Sequence, residues 1–225
     1  MVATTRSAFD RQLSDLQDNV LYLSELVATQ VLQAIQALQT HDMEAARRVD
    51  GLDATINRLR YELEENCYTL LALQQPNSRD MRRIVSTISI VTNLERMGDH
   101  AAGIARLALR METTPCNIHV PEFDEMAALA AASLRDAMTA MTTWDKVLAR
   151  AVIDRDANID RLHQQVYDHL IKMMTKHPSR IECATMMLWV SHNLERYADR
   201  ISNICERIVY LITGQLHEPR HDTMP

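Results

Sequence analysis

From Ala8 to Gln39 apolar side chains recur at steps of mostly three and four, through Phe9, Leu13, Leu16, Val20, Leu23, Val27, Ala34 and Leu38. That is the period of one face of an α-helix, and it predicts a helix that lays its stripe into a bundle core. After the polar Thr40-His41-Asp42, a second seam runs through Val49, Leu52, Ile56, Leu59, Leu63, Leu70 and Leu73. It stops at Gln74-Gln75-Pro76, because the residue before a proline is driven out of helical geometry. A third helix is expected next. Asn77 or Ser78 can cap it, Asp80 suits the positive end of its dipole, and Ile84, Ile88, Ile90, Leu94, Met97, Ala101 and Ile104 form a broad apolar face that fades near Met111.

Thr113 to Glu122 has no periodic pattern and contains Pro115 and Pro121, which marks a linker. The plan then repeats. Helices are expected from Asp124 to Trp144 (Met126, Leu129, Ser133, Leu134, Ala137, Met138, Met141), from Val147 to Lys176 (Val152, Ile159, Leu162, Val166, Leu170, Met173) and from Ser179 to Thr213. His177-Pro178 separates the last two, and Gly214 suits a C-terminal cap. The organisation read from this is a bundle over 8–111, a linker over 112–123, a second bundle over 124–214 and a tail over 215–225 too poor in apolar residues to pack.

Composition sharpens the fold class. Four Gly and six Pro in 225 residues, with 47% hydrophobic content, leave few helix breakers in a chain long enough to bury a large core. The class is all-α: two homologous three-helix bundles made of six long helices. A net charge of −6, with basic residues interleaved among acids, argues against a nucleic-acid partner. Met1 to Ser7 lacks the apolar core of a signal peptide, and no stretch reaches the roughly 18 apolar residues of a membrane span, so a cytoplasmic protein is expected. Cys67, Cys116, Cys183 and Cys205 form no CxxC pair and read as structural thiols.

The chemistry lies in a repeat. Asn93-Leu94-Glu95-Arg96-Met97-Gly98-Asp99 returns as Asn193-Leu194-Glu195-Arg196-Tyr197-Ala198-Asp199, and each copy sets a Glu and an Asp one helical turn apart on one face. The repeat extends into the preceding helix, where Asp53-Ala54-Thr55-Ile56-Asn57-Arg58-Leu59 matches Asp156-Ala157-Asn158-Ile159-Asp160-Arg161-Leu162. Such acids sit at the margin of the apolar stripe, where their repulsion must be met by protons, by arginines such as Arg96, Arg106, Arg196 and Arg200, or by metal ions. Asp156 and Asp160 facing Glu195 and Asp199 would form an oxygen-rich site suited to iron, manganese, magnesium or zinc. His163, His192 and His100 could add nitrogen. No predicted helix carries the Glu-x-x-His pair of ferritin-like di-iron bundles, and there is no phosphate loop, nucleophile elbow or HExxH helix, so no enzyme is expected. A structural scaffold without metal and a carboxylate-bridged di-metal oxidoreductase are the alternatives.

Two three-helix bundles each closing with LERxxD, the Gln75-Pro76 break followed by Asp80-Met81-Arg82, and the ending Ile204 to Gly214 together resemble the PhoU family, over about Ala8 to Gly214. The resemblance implies a cytoplasmic, homodimeric, non-enzymatic regulator. Such a protein acts with the ATPase of a phosphate ABC transporter and a sensor histidine kinase to repress phosphate-starvation genes, touching the membrane only through those partners. It also implies a multinuclear iron or zinc cluster on Glu95, Asp99, Glu195, Asp199, Asp156, Asp160 and Asp53. The first bundle departs from the pattern with Asn57 and Arg60 where relatives carry acids, so a weaker or smaller metal site than in the second, or one built differently, is expected there.

Overall fold

A computed structural model describes residues 2–114 and 116–216, with side chains from residue 7 onward. The helices are α1 (Val2–Thr40), α2 (Met43–Gln74), α3 (Ser78–Arg110), α4 (Glu122–Thr143), α5 (Lys146–Asp154), α6 (Asp156–Lys176) and α7 (Ile181–Thr213), with a 3-10 turn at Pro178–Arg180 and no strand among the described residues. The tail over 217–225 lies outside the described residues.

The same corner joins the first two helices of each bundle. His41 (φ 54°) and Trp144 (φ 59°) both take the left-handed conformation. The next residue is an aspartate in each case. Its N–H returns to the preceding helix, Asp42 to the Ala37 carbonyl at 3.0 Å and Asp145 to that of Ala140 at 2.9 Å. Its side chain then caps the following helix, Asp42 accepting from Ala45 N–H, and Asp145 from those of Val147 and Leu148. Asn77 does the same for α3, accepting from Arg79 and Asp80 N–H at 2.9 and 3.0 Å.

One expected helix is two. The run from 147 to 176 breaks at Arg155, whose N–H reaches Val152 O at 3.2 Å while Asn158 N–H reaches Arg155 O at 3.0 Å, a tightened 3-10 turn. The Arg155 guanidinium holds Asp136 of α4 at 2.6 Å. The break matters because it leaves Asp156 at the start of α6, where the positive end of the helix dipole favours a carboxylate. The last helix likewise begins at Ile181, not Ser179, because Pro178 and its neighbours form a 3-10 turn. Leu73, expected in the seam, is 72% exposed, since it lies beyond Leu70, the last buried residue of α2.

The bundles, α1 to α3 and α4 to α7, are not separate globules. The helix α3 lies against α7 as well as α2, and α1 against α4 as well as α2 and α3. A single buried cluster runs from Phe9 to Leu211. Tyr197, fully buried, donates its hydroxyl proton to the Val27 carbonyl of α1 at 3.1 Å, and a Cβ at Gly103 of α3 would stand 3.1 Å from Asn193 Oδ1 of α7. The reading of all four cysteines as thiols is corrected. Cys116, in the segment between the bundles, and Cys183, in the first turn of α7, form a disulfide with a Cα–Cα distance of 5.2 Å. Their 67-residue separation hides the pairing from sequence spacing. Cys67 and Cys205 are free and buried, and burial pushes both thiols up to about 12.

Candidate functional site

In the second bundle α7 carries Glu195 and Asp199 on successive turns, and α6 carries Asp156 and Asp160 in the same relation. The two pairs face each other. Ser202 of α7 donates to Asp156 Oδ2 at 3.0 Å, and Asp199 raises the proton affinity of Asp156, Asp160 and Glu195 alike. Burial lifts Glu195 most, to about 7, helped by Asp199, with Arg196 opposing. Burial lifts Asp156 to about 6 against the Ser202 hydrogen bond, and Asp160 moves upward for the same reason. Among the described residues Arg196 is the guanidinium that pairs with this group, at 3.4 Å from Glu195 and 3.0 Å from Asp199. Glu195 Oε2 is nevertheless buried without a hydrogen-bond partner, with His192 Nδ1 at 3.6 Å. His163 is tied to Ser191 at 2.8 Å.

The first bundle brings Asp53 of α2 together with Glu95 and Asp99 of α3. Asp53 is raised, by burial first and by Asp99 second, while Arg106 opposes. Glu95 is raised by burial and Asp99, with Arg96 and Arg60 opposing. Asn57, which stands where the second bundle has Asp160, donates to Asp53 Oδ2 at 3.3 Å. Arg60 grips Glu64 at 2.9 Å, and Thr92 donates to the same carboxylate at 3.3 Å. Glu64 is thus held by a guanidinium and a hydroxyl. Arg200, expected as a partner of the motif acids, acts on His100 instead, where it lowers the imidazole's proton affinity alongside burial.

Every motif acid therefore lies in one of two clefts, Asp53, Glu95 and Asp99 in the first and Asp156, Asp160, Glu195 and Asp199 in the second. Among the described residues no three His, Cys, Asp or Glu side chains converge as metal ligands do. The second cleft fits a cation in its donors: four carboxylates, one of them with a buried oxygen that lacks a hydrogen-bond partner, opposed among the described residues by Arg196. The first does not, because guanidinium groups already fill that electrostatic role. Sequence reasoning missed Ser191, Ser202 and Thr92, the hydroxyls that orient the acids and His163. Their signal is positional, since Ser202 falls three residues after Asp199 and Ser191 four before Glu195, on the carboxylate face of α7.

The seam between the bundles adds one polar contact beside the motifs, His100 Nδ1 to Asn193 Oδ1 at 3.2 Å. Two copies of the PhoU domain model match this chain, at residues 20–108 and 123–208. The chain belongs to the PhoU family. Its relatives in that family include a Streptococcus pneumoniae protein named phosphate-specific transport system accessory protein PhoU homolog, 35% identical over 94% of this chain and 98% of its own. A Clostridium acetobutylicum protein of the same name is 32% identical over 94% and 97%. The crystal structure of PhoU from Pseudomonas aeruginosa superposes with a TM-score of 0.87 at 30% identity, covering 92% of this chain and all of that one. The two bundles are the two PhoU domains.

Proposed function

We propose that the protein regulates phosphate uptake and the phosphate-starvation response, as a non-enzymatic helical adaptor acting on the ATPase of a phosphate ABC transporter and on a sensor histidine kinase. The observation that carries this reading is the match of both bundles to PhoU domains, with relatives named as accessory proteins of phosphate-specific transport along nearly their whole length. No helix among the described residues is long and apolar enough to cross a membrane, so an effect on a transporter would pass through protein contacts. The setting is the cytoplasm and the working form a homodimer. Deleting the gene is expected to raise phosphate-regulon expression in phosphate-replete medium, and the protein is expected to co-purify with the transporter ATPase. Unchanged expression in the deletion strain overturns the reading.

Within it, the second cleft holds iron or zinc through Glu195, Asp199, Asp156 and Asp160. The metal would supply the positive charge that four facing carboxylates lack. Elemental analysis of untagged protein tests this part, and the absence of transition metal after anaerobic reconstitution with iron overturns it while leaving the adaptor role standing. A metal-free scaffold is favoured by one observation, the Arg196 bridge between Glu195 and Asp199. In that case Glu195→Gln with Asp199→Asn leaves regulation unchanged.

A further inference from the structure

The two clefts are built from equivalent positions of one repeat, yet they are neutralised differently. Arg60 and His163 stand at equivalent positions of α2 and α6, as do Asn57 and Asp160. In the first cleft two nitrogens of Arg60, Nη2 at 2.9 Å and Nε at 3.0 Å, donate to one carboxylate oxygen of Glu64, Oε1, in a charge-assisted contact. The pair is largely shielded from water, with side chains 22% and 11% exposed, and Glu95 beside it is 16% exposed. Arg60 acts on Glu95 as well, Arg96 lies 3.7 Å from Glu95, and Arg106 acts on Asp53 while reaching Asp50 at 3.3 Å. Three guanidinium groups therefore meet Asp53, Glu64, Glu95 and Asp99, where the second cleft has Arg196 alone for its four acids.

We propose that Arg60 is the resident cation of the first cleft and that divalent metal does not enter there. A guanidinium cannot be deprotonated at any physiological pH and is covalently part of the chain, so the charge it contributes is present at all times. A metal on Asp53, Glu95 and Asp99 would have to sit beside the Arg60 guanidinium, which acts on Glu95 and is held by Glu64, and coordination by three acids and an amide does not offset that repulsion. The first bundle then carries a permanent cation of its own beside its acids, and the second has none at the equivalent position. This rests on the metal reading of the second cleft for its contrast, but the role of Arg60 stands on its own geometry.

The test uses the full-length untagged chain, loaded with Zn2+ or, anaerobically, with Fe2+, and bound metal is counted after gel filtration. Glu195→Gln with Asp199→Asn is expected to lose all metal. Adding Asn57→Asp and Arg60→His to that protein, which writes the second copy's residues into the first, is expected to restore binding. Metal retained by the double variant and lost on adding Glu95→Gln overturns the proposal, as does a quadruple variant that folds and stays empty. If wild type binds nothing, the reading of the second cleft fails, and Arg60 is judged by thermal unfolding. Arg60→Met is expected to lower the midpoint, with Zn2+ restoring it. Arg58→Met, which removes an exposed pair to Glu62, is expected to change little. An Arg60→Met protein no less stable than Arg58→Met overturns the proposal.

Discussion

The first and second clefts begin from the same seven-residue motif and end with opposite electrostatics. In the first, carboxylates and arginines come nearly in balance, and Glu64 is fully engaged by Arg60 and Thr92. In the second, burial, helped by the acids' repulsion of one another, lets Glu195 keep its proton to about 7 and Asp156 to about 6. The motif fixes where the acids stand, while residues outside it, at 57, 60, 106 and their counterparts, decide how the charge is answered. Duplication of a ligand pattern is thus evidence for duplicated placement and says less about duplicated occupancy.

The largest expected effect separates the halves by covalent chemistry. Only α7 is stapled to the segment between the bundles, through Cys116–Cys183. Opening that bond with a dithiol, or by Cys116→Ser, should cost roughly 2–4 kcal/mol in urea denaturation. An unchanged midpoint would show that packing alone holds the segment in place.

Next is the charge itself. The folded-state values of Glu195 and Asp156 are raised above their ordinary 4.5 and 3.8, so in metal-free protein the native state binds more protons than the unfolded one between those values and about 7 and 6. Stability is therefore expected to fall as pH rises through that window and to recover on acidification. Glu195→Gln should flatten the dependence and add on the order of 1 kcal/mol at neutral pH. Glu95→Gln should add little, because Arg96 and Arg60 would lose an anion. Urea midpoints of the three proteins across the window decide it, and a wild-type midpoint that rises with pH would sink the comparison.

Two smaller effects probe the fifth and sixth positions of the motif, just before its final acid. Tyr197→Phe should cost about 1 kcal/mol by removing a buried hydrogen bond to the Val27 carbonyl, whereas Met97→Leu in the first copy, which carries no such bond, should be nearly silent. Ala198→Gly should cost about 1 kcal/mol of helix propensity. The reverse change, Gly98→Ala, should gain less than that, since a Cβ there would meet Ile56 at 3.1 and 3.2 Å. Equal and opposite effects at 98 and 198 would show that Ile56 yields freely.

Most of the fold was legible in the sequence because apolar spacing, proline breaks and Asp or Asn caps act locally. Phe9 to Leu38 in α1 are buried as their spacing requires, and Asn77 caps α3. The break at Arg155 was not legible, since nothing in Asp154-Arg155-Asp156 disfavours helix; its guanidinium is engaged with Asp136 of another helix. The acids of both clefts could be named from their period, and so could the unusual Asn57 and Arg60. Which acid Arg60 would take could not, because Glu64 on its own helix and Glu95 on the next compete for it, and only packing distances choose between them. The disulfide and the His163–Ser191 contact are likewise matters of tertiary approach.

The shared core has a calorimetric consequence. Because the Tyr197 hydroxyl is satisfied inside α1 and α3 lies against α7, separating the two PhoU domains would strip apolar surface and hydrogen-bond partners from both at once. A scan of the intact chain should give one endotherm, with its van't Hoff and calorimetric enthalpies equal. A fragment ending after α3 should not reproduce half of it, and a ligand that tightens the second cleft should raise the melting of the first, although the two clefts need not exchange a single contact.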